Sequence, residues 1–191
     1  MIGVAGEKRT CGGVDIVIDG LRELGAEPSA EAVMRLITSA AAASLAECAE
    51  AALTVLCGEG PTTRAATSDL PVDVDALQYE HGGPCVDALR GEDTVVYASD
   101  LSTESRWPAF IAAVAGMRVR SVLSYRLYLN RNDPIGTLNL YARTPHAFTP
   151  DEVHAGERLA AYAAVMLARA NELEESGNLQ ETLRVRRARS V

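Results

Sequence analysis

The sequence predicts an α+β fold: a mainly antiparallel sheet, with helices from both chain termini on one face and a roof of loops and short helices on the other. Three observations carry this. Two pairs of strand-like runs are each joined by a turn cluster, over residues 53–67 and 121–141. Long amphipathic runs stand at both ends of the chain, before residue 45 and after residue 149. Between the hairpins, residues 68–118 hold only short segments punctuated by glycine and proline, which suits a roof over one sheet face.

The elements follow in order. Residues 1–13 carry four glycines and no periodic pattern, and are expected to be mobile. Val14, Val17, Ile18, Leu21 and Leu24 recur at helical spacing, closed by Gly25. Ser29 is placed to cap a second helix, with Glu31 in its first turn and a stripe of Val33, Leu36, Ile37, Ala40 and Leu45. Residues 53–57 read as a strand, Gly58–Pro61 as a turn and residues 62–67 as the returning strand. A short helix is expected near Asp73–Tyr79, stopped by His81-Gly82-Gly83. A second opens at Pro84, because proline is tolerated in the first helical turn, and ends at Gly91. Residues 94–97 read as a strand and 100–106 as a loop, and a helix spans 107–115. Residues 121–129 and 135–141 form the second hairpin around the turn cluster at Asn130–Pro134. Thr149, Pro150 and Glu152 make a capping box that opens a long helix with a stripe of Leu159, Tyr162, Ala163, Met166, Ala170 and Leu173. Gly177 is expected to weaken or break it before a second helical stretch over 178–189.

Composition narrows the function. The 191 residues carry a net charge of -8. Four of the 18 basic residues (Arg184, Arg186, Arg187 and Arg189) lie in the last eight positions, which hold none of the 26 acids. The body is therefore strongly acidic and repels nucleic acid and anionic lipid, leaving any basic contact to the tail. Cys11, Cys48, Cys57 and Cys85 show no metal-ligand spacing, so no metal site is expected; reduced thiols in a cytoplasmic protein are the expectation. No apolar run reaches the ~20 residues that span a bilayer, and Asp15 and Asp19 interrupt the only apolar stretch near the N-terminus.

Three stretches carry a family resemblance. The first is Gly83-Pro84-Cys85-Val86-Asp87-Ala88-Leu89, leading to the strand at Thr94. The second is Asp100-Leu101 followed by Arg106-Trp107-Pro108-Ala109-Phe110. The third is Ser121-Val122-Leu123-Ser124-Tyr125-Arg126-Leu127, the turn, Ile135-Gly136-Thr137-Leu138-Asn139-Leu140-Tyr141, and then Phe148-Thr149. Residues 29–175 resemble a GAF domain, a PAS-like fold, most closely those of actinobacterial GAF–ANTAR regulators. Residues 1–28 then form an N-terminal extension. Residues 176–191 are similar to the start of the RNA-binding ANTAR module, with the remainder missing or truncated. The resemblance implies a sensory or regulatory, non-enzymatic domain in signal transduction or transcription regulation. It implies an unidentified small-molecule ligand and relay through the terminal helices. It names no cofactor, and it implies no specific nucleic-acid binding by this chain alone and no membrane association. The alternative is a structural dimerisation module without a ligand. A pocket lined by polar and aromatic groups favours sensing; a plugged one favours the structural role.

Other family chemistries fit less well. Free methionine sulfoxide reductases of this family carry Gly-Val-Cys-Gly where Gly83-Pro84-Cys85-Val86 stands, but their nucleophilic cysteine has no counterpart between Met117 and Ser124. The cyclic-nucleotide pattern is only partly matched by Asn130-Arg131 and Phe148–Glu152, and Asp151 and Glu152 are accounted for by capping. A haem-binding role would need a histidine facing the pocket; His81, His146 and His154 read as solvated.

The pocket residues expected from the pattern are Cys85, Asp100, Trp107, Phe110, Leu123, Tyr125 and Tyr141. Cys85 at a helix start could be a reactive thiolate, but a small buried packing residue is the reading we take. Trp107 and Phe110 belong to the roof. Leu123 and Tyr125 share one strand face, and Tyr141 lies on the neighbouring strand. A cavity is expected near Cys85, Trp107 and Tyr125. The stripes of the terminal helices exceed what one sheet face can cover, which predicts a homodimer. The competing arrangement folds the N-terminal helix over the closing helix within one chain.

Overall fold

The computed structural model of the chain describes residues 13–24, 29–58, 60–130 and 133–188. Six helices and five strands follow in the order α1 (Gly13–Leu24), α2 (Ala30–Ser44), β1 (Glu50–Cys57), β2 (Gly60–Ala66), α3 (Asp69–His81), α4 (Pro84–Arg90), β3 (Val95–Ala98), α5 (Pro108–Val114), β4 (Ser121–Asn130), β5 (Asp133–Ala142) and α6 (Pro150–Ala188). The strands form one sheet in the order β2-β1-β5-β4-β3, and every neighbouring pair is antiparallel. The expected α+β architecture is the observed one.

Alternation along the strands divides the core in two. Ala51, Leu53, Leu123, Tyr125, Leu127, Leu138 and Leu140 face α2 and α6, with α1 laid over both helices through the fully buried Val17. Ala52, Val96, Ala98, Val122 and Tyr141 face α3, α4 and α5. The three short helices thus make the lid, and the terminal helices cover the opposite face.

Local chemistry sets the boundaries. The Ser29 hydroxyl accepts the Ala32 amide at 3.2 Å and caps α2. At α6 the Glu152 carboxylate accepts the Thr149 amide at 2.9 Å while the Thr149 hydroxyl accepts the Glu152 amide at 3.3 Å, the reciprocal capping box read from the sequence. Helix α3 starts four residues before the expected Asp73. Pro71 is compatible with this, because amides of the first turn have no helical partner to lose. Gly82, at φ 80°, turns the chain from α3 into α4 in a conformation that disfavours side chains. Gly156 lets α6 lie against Tyr125, whose hydroxyl donates to the Val153 carbonyl at 3.0 Å; a methyl group at Gly156 would collide with that ring.

Two expectations are corrected. Helix α6 runs unbroken through Gly177 to Ala188, because one glycine weakens a helix by ~1 kcal/mol without removing a backbone hydrogen bond. The α6 stripe, where its side chains are described, is covered within the chain: Leu159 and Ala163 are buried, and Tyr162 and Met166 pack against the same core. The expected mobile segment 1–13 lies outside the described residues except for Gly13. Arg189, the centre of the Asn130–Pro134 turn, and the side chains of Leu173 and the tail arginines also lie outside them.

Candidate functional site

Beneath the lid, at the centre of the sheet, the side chains are polar. Helix α3 turns Pro71, Val74, Asp75 and Gln78 inward, at spacings of three and four, so Asp75 and Gln78 occupy positions where an amphipathic helix ordinarily places apolar groups. They meet Thr54 of β1 and Asn139 and Tyr141 of β5, all buried. The Asp75 carboxylate accepts from Asn139 Nδ2 at 3.0 Å, Gln78 Nε2 at 3.2 Å, Thr63 Oγ1 at 2.9 Å and Thr54 Oγ1 at 3.5 Å, and from the Tyr141 hydroxyl. Every donor is neutral. Without a cationic partner, burial pushes the Asp75 carboxyl up to about 6, against the lowering effect of its hydrogen bonds, led by Tyr141.

The network continues outward. Gln78 Oε1 accepts the Cys85 amide at 2.8 Å, which satisfies a free N–H at the start of α4. The Tyr79 hydroxyl lies 2.8 Å from Thr54 Oγ1 and 2.7 Å from Thr63 Oγ1. The Cys85 sulfur lies 3.1 Å from Thr137 Oγ1. Two buried atoms in this region, Asn139 Oδ1 and the hydroxyl of its cross-strand neighbour Ser124, have no hydrogen-bond partner. Beside Tyr79, a cleft of about 310 Å3 opens between the β1–β2 hairpin and α4, lined by Leu56, Pro61, Val86, Leu89, Arg90 and Pro134.

The predicted pocket residues divide into three groups. Cys85, Phe110 and Tyr141 are all buried on the lid side of the sheet, each 0–1% exposed. Trp107 packs at the edge of this layer, with Nε1 donating to Asp87 Oδ2 at 2.9 Å and the Arg106 guanidinium 4.2 Å from its ring. Asp100 lies apart, where its carboxylate accepts from the Ser102 amide at 2.9 Å and the Ser102 hydroxyl at 2.7 Å within its own loop. Leu123 and Tyr125 face α2 and α6, on the opposite side of the sheet. The register explains this: Val122 pairs with Tyr141 and Leu123 with Leu140, so Tyr141 shares a face with Val122 and Ser124. The cavity expected between Cys85, Trp107 and Tyr125 is therefore corrected, because a sheet separates the third from the first two.

Asp75, Gln78, Tyr79, Thr54, Thr63, Thr137 and Asn139 were not singled out from the sequence. The available signal was polar residues at inward positions: Thr54 between Leu53 and Val55, and Asp75 and Gln78 on the stripe of Pro71 and Val74. The histidines are all exposed. Among the described residues no cluster of His, Cys, Asp or Glu has the arrangement of a metal site, and no helix is long and apolar enough to cross a membrane.

Cys85 is chemically quiet. Burial, reinforced by the charge of Asp75, pushes its thiol up to about 12, so the start of α4 does not activate it. In the native protein at pH 8, Cys85 should resist iodoacetamide for hours and react within minutes once denatured, as peptide mapping would show. Rapid alkylation of Cys85 in the native protein would contradict the buried geometry.

A lidded antiparallel sheet backed by its terminal helices defines a class of α+β module found in sensory and regulatory proteins. The model of the GAF domain family matches residues 27–168, and the chain belongs to that family. No curated protein matches the sequence. Solved structures share the fold at low identity. The GAF domain of a phosphoenolpyruvate-protein phosphotransferase from Acinetobacter is 13% identical with a TM-score of 0.63, the match covering 85% of this chain and 97% of that one. A domain of a two-component sensor histidine kinase from Sinorhizobium meliloti is 15% identical with a TM-score of 0.57, covering 74% and 92%. A type II free methionine-R-sulfoxide reductase from Thermoplasma acidophilum is 14% identical with a TM-score of 0.58, covering 73% and 93%.

Proposed function

We propose that this chain is a sensory GAF domain of a cytoplasmic, homodimeric transcription regulator. In this reading it binds a small polar ligand between the sheet and α3–α5 and relays occupancy through α6. The observation that carries the reading is the Asp75 network. A buried carboxylate held by neutral donors, with two unpartnered polar atoms nearby, is an expensive way to fill a core and a common way to build a recognition surface. The cleft beside Tyr79 offers an approach, since the Tyr79 hydroxyl belongs to the network. Displacement of Tyr79 or of α4 would open Thr54, Thr63 and Asp75 to an incoming molecule.

The relay follows from α6. Leu167 is its last fully buried residue among those described, and the helix continues ~30 Å beyond it at 1.5 Å per residue. The likeness of residues 178–189 to the start of an ANTAR module supports a GAF–ANTAR type of output at this end. The acidic body supports the absence of specific RNA binding by this chain alone. A non-catalytic role is supported by the buried Cys85 and by the absence of a cysteine between Met117 and Ser124, although one relative of this fold is a reductase.

The structural reading, a dimerisation module without a ligand, is favoured by the burial of Cys85, Phe110 and Tyr141, which leaves them almost no exposed surface. Native mass spectrometry of protein purified from its own host separates the two. The sensory reading expects a bound mass that Asp75→Leu does not retain. Wild-type protein of bare chain mass, in a host grown under varied conditions, would favour the structural module.

A further inference from the structure

Helix α6 has a second face that none of the described residues covers. Arg158, Ala161, Val165, Ala168 and Glu172 follow one another at spacings of three, four, three and four, which places them on one stripe. Leu159, Ala163 and Leu167 point away from it into the core. Val165 is 55% exposed, and Leu129, which faces it across a groove between α6 and the end of β4, is 51% exposed. Among the described residues, these two are more exposed than any other large hydrophobic side chain. Arg158 and Glu172 are exposed and make no ion pair among the described residues.

The charges on this face are arranged to match themselves in reverse. Arg158 lies seven residues before Val165 and Glu172 seven residues after it. We infer that the face pairs antiparallel with the same face of a second copy of this chain, about a two-fold axis passing beside Val165. Val165 then meets the partner's Val165, and Ala161, four residues before it, lies within one residue's rise of the partner's Ala168, three residues after it. Arg158 meets the partner's Glu172, and Glu172 meets the partner's Arg158, closing two ion pairs. A parallel pair would set Arg158 against Arg158 and Glu172 against Glu172, so the charge order selects the antiparallel arrangement. The two alanines allow the helices to approach toward the lower end of the 8–10 Å range. The groove beside Val165 brings Leu129 into the buried area.

This rests on the homodimer named above and replaces the stripe first expected to make it, since Leu159, Tyr162 and Met166 are occupied within the chain. The arrangement also assigns α6 a relay role, because a shift of α6 against the sheet would change the contact at its far side.

Sedimentation velocity of the full chain over a concentration series tests it. Wild type should dimerise. Val165→Glu, which sets two carboxylates face to face at the axis, should raise the dimer dissociation constant by about tenfold or more. Arg158→Glu alone and Glu172→Arg alone should each weaken the dimer, and the double variant Arg158→Glu/Glu172→Arg should recover it. A parallel pair gains nothing from that swap. The three substituted positions, Arg158, Val165 and Glu172, are exposed, so unchanged thermal unfolding of each variant separates lost association from lost folding. A wild-type dimer indifferent to Val165→Glu would overturn this face and leave the homodimer standing. A wild type that stays monomeric throughout the series would overturn both.

Discussion

Asp75→Asn should make the protein more stable than wild type at neutral pH, by an amount that vanishes in acid. An unfolded aspartate ionises near 3.8 and the buried Asp75 near 6. Below the lower value the carboxyl is neutral in both states and carries no penalty. As the pH rises from there, the unfolded state releases its proton first, so ionisation favours unfolding until the pH has passed the folded value. About two units at 1.36 kcal/mol each amount to a penalty on the order of 3 kcal/mol above pH 6. The asparagine can keep the contacts. Its carbonyl replaces the oxygen that accepts from Asn139, Gln78 and Tyr141, and its amide donates to the Thr63 and Thr54 hydroxyls, which turn to accept. Denaturant unfolding of both proteins at steps from pH 3.5 to 7.5 should show the variant's advantage growing through this window. A wild type that gains on the variant as pH rises would mean that the network holds Asp75 ionised, and the account of the site would be wrong.

The second large effect is expected at Phe110→Ala. Phe110 is fully buried in the middle of α5, a helix of seven residues anchored to the body by Trp107, Phe110 and Val114. Truncation removes the central anchor and leaves a cavity under the lid, which should cost about 3–5 kcal/mol. The denaturation midpoint should fall with the slope unchanged. A loss below about 1 kcal/mol would mean that α5 is not packed on the sheet as described.

Both predictions concern the lid face, and the sequence discloses that face unevenly. Its frame is legible because local chemistry dictates it. The hairpins announce themselves through strand formers around turn residues, Ser29 and Thr149 through their capping patterns, and the lid through Gly82, Pro84 and Gly91. The face of each strand is legible only relative to its own neighbours. Leu123 and Tyr125 do share a face, but which face Tyr141 shares depends on the β4–β5 register, and that is fixed by the turn between the strands and the packing of both layers.

The centre of the site was hidden for a different reason. Asp75 sits in a segment whose short, mixed pattern reads as a solvated helix, since isolated carboxylates are rarely buried. Only the convergence of Thr54, Thr63, Asn139 and Tyr141, from positions as far as 66 residues away in the chain, makes its burial possible. The stripe expected to pair two copies is hard to read for the same reason. The apolar stripe of α6 is the covered one, and the face left open carries one valine, two alanines and two opposite charges, a pattern that reads as ordinary helix surface until the core has claimed the other side.

The central claim is that the lid face is a binding face that opens, not a core that is merely packed. Amide hydrogen exchange under native conditions tests this directly. If α3, α4 and α5 form a lid over a polar cluster, their protected amides should exchange through openings well below the global unfolding free energy, while β4 and β5 exchange only with global unfolding. Exchange of all three lid helices at the same free energy as the central strands, with the same denaturant dependence, would show that the lid and sheet open as one unit and would contradict the claim.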